Sequence, residues 1–190
     1  MGSALVLVLG GCSLKHDSGV DLVAGKKAFV GKCGSCHTLG RAGTKGNVGP
    51  NLDDAFKNAL TDGLKRTTVQ GIVKQQILFP EIGGVMPAKL VDARVARDVA
   101  AYVAYATNRT GQDTGLLLSA VPTAGAGKPA VEAAGTLEID ADPTGQLAYV
   151  TNKATGKAGP VTLKMANMSG VPHNIALQQG TGASGPILGA

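Results

Sequence analysis

The amino-acid sequence predicts a multidomain chain: an all-α unit over residues 20–109, a linker over 110–132 and an incomplete all-β sandwich over 133–190. Three observations carry that prediction. Charge is uneven, with 14 Lys and Arg against 8 Asp and Glu up to Arg109, a balance of +6, and 4 against 5 beyond it, a balance of −1. Apolar residues recur at helical spacing in the first part and alternate in the last. Between them lies a stretch rich in Gly, Ala, Pro and Thr that reads as a flexible tether, and 190 residues accommodate two small domains.

Residues 1–12, "MGSALVLVLGGC", are an apolar run closing on small residues and a cysteine. Leu9-Gly10-Gly11-Cys12 resembles the lipobox of bacterial lipoproteins, which implies a signal peptide, a lipid-bearing Cys12 and residues 13–19 as a tether. The alternative is a loose apolar leader with an incidental cysteine. No stretch approaches the roughly 20 apolar residues of a membrane-spanning helix, so attachment to a membrane would be through lipid.

The next segment, "DLVAGKKAFVGK", reads as a helix with Leu22, Val23, Phe29 and Val30 as its apolar positions. It runs into "KCGSCHTLG", where Cys33, Cys36 and His37 fall within five residues. Three chemistries use such a cluster: a redox-active disulfide, part of a zinc site, or covalent attachment of a c-type haem. Zinc needs about four ligands, and the remaining nitrogen donors, His16 and His173, lie far away in the chain. A dithiol motif opens a helix after a strand, whereas here a helix leads into it. In the haem reading the thiols add across the two vinyl groups and His37 lies under the iron as an axial ligand. Aromatic residues at 3%, no Trp, 28 Gly and 9 Pro describe a small domain that gains from a large apolar cofactor at its centre.

A second axial ligand is then required. Between His37 and Arg109 there is no further His and one Met, in "GGVMPAK". Met86 follows a Gly-Gly pair and precedes Pro87, a loop setting able to present sulfur to iron. "TTVQGIVKQQILFP" places Val69, Ile72, Val73 and Ile77 on one helical face, with Pro80 ending the helix. "DARVARDVAAYVAYATNR" places Val99, Tyr102, Val103 and Ala106 on another.

Taken in order, "KCGSCHTL", "NVGPNL", "GGVMP" and the last helix resemble the monohaem class I cytochrome c family over about residues 20–109. The resemblance implies an all-α fold around one covalent haem c. It also implies that Pro50 offers its carbonyl to the His37 ring, that Leu52 lines the pocket, and that the first and last helices cross with Gly25 permitting close approach.

Beyond the linker, "GTLEIDAD", "QLAYVTNKA", "GPVTLKMANMS" and "VPHNIALQQ" read as strands. They resemble the beginning of a cupredoxin, the blue-copper sandwich, and by that resemblance His173 is a candidate copper ligand. No Cys, His or Met follows His173, so the copper site is incomplete, and copper is expected only in a longer form of which this chain is a piece. An unfinished sandwich leaves an unpaired edge and predicts poor order.

The function these readings imply is one-electron transfer, without catalysis, in a prokaryotic respiratory chain. The protein would be exported to the periplasm or the extracytoplasmic face of the bacterial cytoplasmic membrane. Lys26, Lys27, Lys32, Arg41, Lys45 and Lys89 lie near the haem-bearing segments and would steer redox partners with acidic docking surfaces. No basic run with interleaved aromatics supports binding to nucleic acid. The alternatives are a haem enzyme, peroxidase-like or handling nitrogen oxides, with Met86 displaced, and a fixed redox subunit of a larger oxidase or reductase.

Overall fold

A computed structural model describes residues 19–180 and the backbone of residues 187–189. Cys12 and the lipobox-like segment lie outside the described residues. The first part of the chain is helical: α1 (Leu22–Lys32), α2 (Leu52–Ala55), α3 (Lys57–Thr61), α4 (Arg66–Leu78) and α5 (Ala93–Ala106). A small antiparallel hairpin, β1 (Thr38–Leu39) and β2 (Thr44–Lys45), stands between α1 and α2.

The two helices that frame the unit start on aspartate caps. The Asp21 carboxylate accepts from the Val23 and Ala24 amides at 2.9 and 3.0 Å, and Asp92 accepts from Arg94 and Val95, both at 2.9 Å. Each cap satisfies amide donors that the first helical turn leaves free. Helix α4 stops at Leu78, and Phe79 adopts an extended φ of −136°. Pro80 enforces that stop, because its ring disfavours a helical conformation in the residue before it.

Helix α1 crosses α5 at Gly25. A Cβ there would overlap the backbone carbonyl of Asp98 and lie 3.1 Å from the Tyr102 Cβ, so only hydrogen fits. One turn on, the Phe29 and Tyr102 rings meet with centroids 6.4 Å apart and planes tilted by 52°. Around this crossing Val30, Leu39, Val69, Val99 and Val103 are buried, and Val73 and Ile77 close the core from α4. Ile72, expected on the same face, is 47% exposed. The core takes the stripe Val69, Val73 and Ile77, spaced i, i+4 and i+8, and Ile72 falls to its side.

After α5 the chain turns back over the helices. A 3₁₀ turn, Gly115–Leu117, packs near α1, and Asp113 is buried beside Lys26 and Arg41. The first part of the 110–132 stretch is therefore pinned to the helical unit, although its composition reads as a tether.

The remainder carries short strands: β3 (Ala130–Val131), β4 (Thr136–Glu138), β5 (Ala154–Thr155), β6 (Thr162–Lys164), β7 (Leu177–Gln178) and β8 (Ile187–Gly189). β3 pairs with β5 and β4 with β6, both parallel, while β7 and β8 are antiparallel. Beyond β4, Ile139 and Ala141 donate to Lys164 and Ala166 at 2.9 and 3.0 Å, and an antiparallel bridge joins Ala141 to Tyr149. Among the described residues the strands pair two by two, and the incomplete sandwich implied by the cupredoxin resemblance is not formed. Strands of two or three residues bury too little apolar surface to assemble a second layer.

Candidate functional site

The cluster singled out in the sequence lies where α1 unwinds. Cys36 and His37 both donate their backbone N–H to the Cys33 carbonyl, at 3.1 and 2.9 Å, forming a tight turn that keeps the three side chains together. Cys33 is buried and Cys36 half-buried, and both are free thiols. Burial, reinforced by the neighbouring Cys36, pushes the Cys33 thiol up to about 11.

His37 is held from several sides. Its Nδ1 lies 2.9 Å from the Pro50 carbonyl, which can only accept, so Nδ1 is the donor there and Nε2 is the nitrogen left to meet a metal. The Thr44 hydroxyl donates to the His37 carbonyl at 2.9 Å and accepts from the Leu39 amide at 3.0 Å. Gly49 packs so closely on the imidazole that a Cβ there would overlap the ring. Gly46 does the same to the backbone of Ser35 and Cys36, at 2.5 Å. Two glycines therefore let the loop lie directly on the cysteine-histidine turn.

Opposite in sequence, Met86 is half-buried and packs on the apolar core to which Cys33 belongs. Leu52, at the start of α2, packs on the same core, and its carbonyl accepts the Thr107 hydroxyl at 2.5 Å. In the segments flanking Pro50 and Met86, Val48, Ile82 and Val85 stand exposed, and Phe79 is 67% exposed. Exposed apolar side chains of this size are available to cover a large apolar group. Two free thiols in C-x-x-C spacing, an imidazole oriented by Pro50, a thioether and apolar neighbours are a donor set that fits haem c.

His173 is used differently. Its Nδ1 meets the Val171 carbonyl at 2.9 Å and its Nε2 the Gln146 carbonyl at 3.1 Å. Among the described residues no group of three or more His, Cys, Asp or Glu is arranged to hold a metal. Copper is thus not supported, because both ring nitrogens face backbone carbonyls.

Two of the basic residues expected at a docking surface are withdrawn from it. The side chains of Lys26 and Arg41 are 7% and 12% exposed and both pair with Asp113, whereas Lys27, Lys32, Lys45 and Lys89 are exposed. Asp113 itself was not legible as a functional residue. It is a lone acid in "TGQDTG", and its partners lie 72 and 87 positions earlier in the sequence.

Residues 22–107 match the cytochrome c family model. A c-type cytochrome of Sinorhizobium meliloti, SorU, is similar at 28% sequence identity over 49% of this chain and 95% of that chain, with a TM-score of 0.35. A cytochrome c domain implies covalently bound haem c and, as a family, electron transfer.

Proposed function

We propose that the cytochrome c domain at residues 22–107 makes this chain a one-electron carrier with His37 and Met86 as its axial ligands. The observation that carries this reading is the 2.9 Å contact between His37 Nδ1 and the Pro50 carbonyl, which leaves Nε2 as the ligating nitrogen beside two free thiols. The bound group supplies a reversible one-electron couple. Cys33 and Cys36 hold it through thioether bonds, and Leu52 lines its pocket. With nitrogen from His37 and sulfur from Met86 in both axial positions, no coordination site remains for oxygen or peroxide. Thioether ligation favours the reduced iron and sets a more positive potential than two imidazoles would.

The wider setting belongs to the same proposal. The carrier serves a prokaryotic respiratory chain and exchanges electrons with partners of acidic surface, facing them with Lys27, Lys32, Lys45 and Lys89. It is exported and tethered by lipid at Cys12, on the extracytoplasmic face of the bacterial membrane. "LGGC" supports the tether, and among the described residues no helix is long and apolar enough to cross a membrane.

The test is a visible spectrum of the chain matured with haem, oxidised and reduced, beside Met86→Ala. The native protein is expected to hold haem through acid-acetone extraction, to show the sulfur-to-iron band and to resist carbon monoxide. Met86→Ala is expected to lose the band and bind carbon monoxide. Rapid uptake of carbon monoxide by the native protein would instead favour a haem enzyme.

A further inference from the structure

The family match ends at Thr107, yet the residues that follow are bound into the helical unit by a polar cluster whose central acid lies beyond it. Asp113 is the centre of that cluster, with a side chain 1% exposed. Its Oδ2 lies 2.9 Å from Lys26 Nζ on α1 and accepts the Tyr102 hydroxyl of α5 at 2.8 Å. Its Oδ1 accepts Arg41 Nε at 2.9 Å. Two of these side chains also reach the neighbouring backbone. Lys26 Nζ donates to the Leu117 carbonyl at 2.7 Å, and Arg41 donates to Thr110 and Gln112 at 3.0 and 2.9 Å. A guanidinium carries five donors in a fixed fork, and here most of the fork is directed at one short segment, with Tyr105 as its other partner.

Arg41 is also part of the loop that presents His37. It lies in a 3₁₀ turn, Gly40–Ala42, between β1 and β2. β2 carries Thr44, whose hydroxyl grips the His37 carbonyl, and the Gly40 amide donates to Asp53 at 2.7 Å. Hydrogen bonds joined by the backbone of the hairpin therefore link Asp113, through Arg41 and Thr44, to the backbone of the proposed iron ligand. The charges around Asp113 are Lys26 and Arg41, with the Tyr102 and Tyr105 hydroxyls beside them. Two cations face one anion in a site from which water is largely removed, so each charge acts on its surroundings with little screening.

We propose that residues 110–118 are a strap belonging to the redox unit, and that Asp113 is a positioning residue that locks the His37 loop through Arg41 and tunes the reduction potential by its buried charge. The proposal rests on the electron-carrier reading. A buried anion favours the oxidised centre, which carries one more positive charge, and a buried cation disfavours it. The strap therefore gives the two sides of one ion pair opposite effects on the potential, which a purely structural contact would not do.

The test uses the full chain matured with haem, comparing the native protein with Asp113→Asn, Arg41→Gln and the conservative Asp113→Glu. The midpoint potential of folded protein is expected to rise in Asp113→Asn, to fall in Arg41→Gln and to stay near native in Asp113→Glu. Amide exchange over residues 38–46 is expected to be faster in Asp113→Asn by about tenfold or more, as follows from breaking one side of a buried pair. Native potentials in both charge variants, or shifts of the same sign, with only the melting temperature lowered, would overturn the proposal. Should Asp113→Asn not fold, Arg41→Gln with an unchanged potential would overturn it equally. A native chain without covalent haem would defeat the electron-carrier reading alone. Exchange over 38–46 would then decide the strap, a native rate in Asp113→Asn counting against it.

Discussion

His37 and Asp113 show how differently two side chains of one site are legible. Cys33, Cys36 and His37 are adjacent in sequence, so their chemistry is readable from spacing, and Met86 follows as the one sulfur available in its region. Asp113 acquires its role from Lys26 and Arg41, which only folding brings to it. Burial works to raise its carboxyl, but the hydrogen bonds from Lys26, Arg41 and Tyr102 prevail and hold it below the usual carboxylate range. The stability it contributes is therefore fully present above about pH 3.9, the unperturbed value, and is lost as pH falls through the lower folded value. Asp113→Asn is expected to cost about 3 kcal/mol or more at pH 7, since two buried cations lose their anion. Thermal melts of both proteins from pH 7 to pH 2 check this. The gap in melting temperature should be constant down to about pH 4 and shrink below it, and a gap that widens in acid would contradict the assignment.

At the scale of elements, periodicity located α1 and α4, which each bury one stripe, and α5, which is buried on all sides from Asp98 to Ala104. The 3.6-residue repeat did not decide the edge of the α4 stripe, where Ile72 faces outward while Val69, Val73 and Ile77 are buried. The crossing of α1 with α5 depends on one glycine, and magnitudes decide what its replacement would do. Alanine in a helix interior gains about 1 kcal/mol over glycine, but the new Cβ at position 25 would overlap the Asp98 carbonyl, which is backbone and cannot rotate away. Overpacking of that kind costs about 1–3 kcal/mol, and more where the obstacle is rigid. Gly25→Ala is therefore expected to lower the urea midpoint of the helical unit. Gly71→Ala, in α4 with nothing near its Cβ, is expected to raise it. Equal midpoints in the two variants would show that the helices do not meet at Gly25. Alternation foretold strands in the last part, yet the ladders are two or three residues long, since alternation reports a side-chain pattern and not how much surface a partner will cover.

Over the whole molecule, the charge asymmetry separates a basic helical part from a near-neutral remainder, but net charge does not say which charges are free. Lys26 and Arg41 look, in sequence, like their neighbours Lys27 and Lys45, and the structure spends them inside on Asp113. The cations available to a partner are accordingly fewer than the composition implies, and they include Lys27, Lys32, Lys45 and Lys89. Exposed charges act through water and are screened within about 8 Å at physiological salt, so steering by them must weaken as salt rises. The bimolecular rate of electron exchange with an acidic redox partner is expected to fall as ionic strength increases from about 0.01 M to 0.5 M, by tenfold or more if steering is strong. Lys32→Glu and Lys45→Glu should slow exchange at low salt and flatten that dependence. Asp113→Asn, a change of one charge unit made in the interior, should keep a steep dependence, because the exposed lysines remain. A native rate indifferent to salt would remove acidic partners from the reading while leaving the redox centre as described.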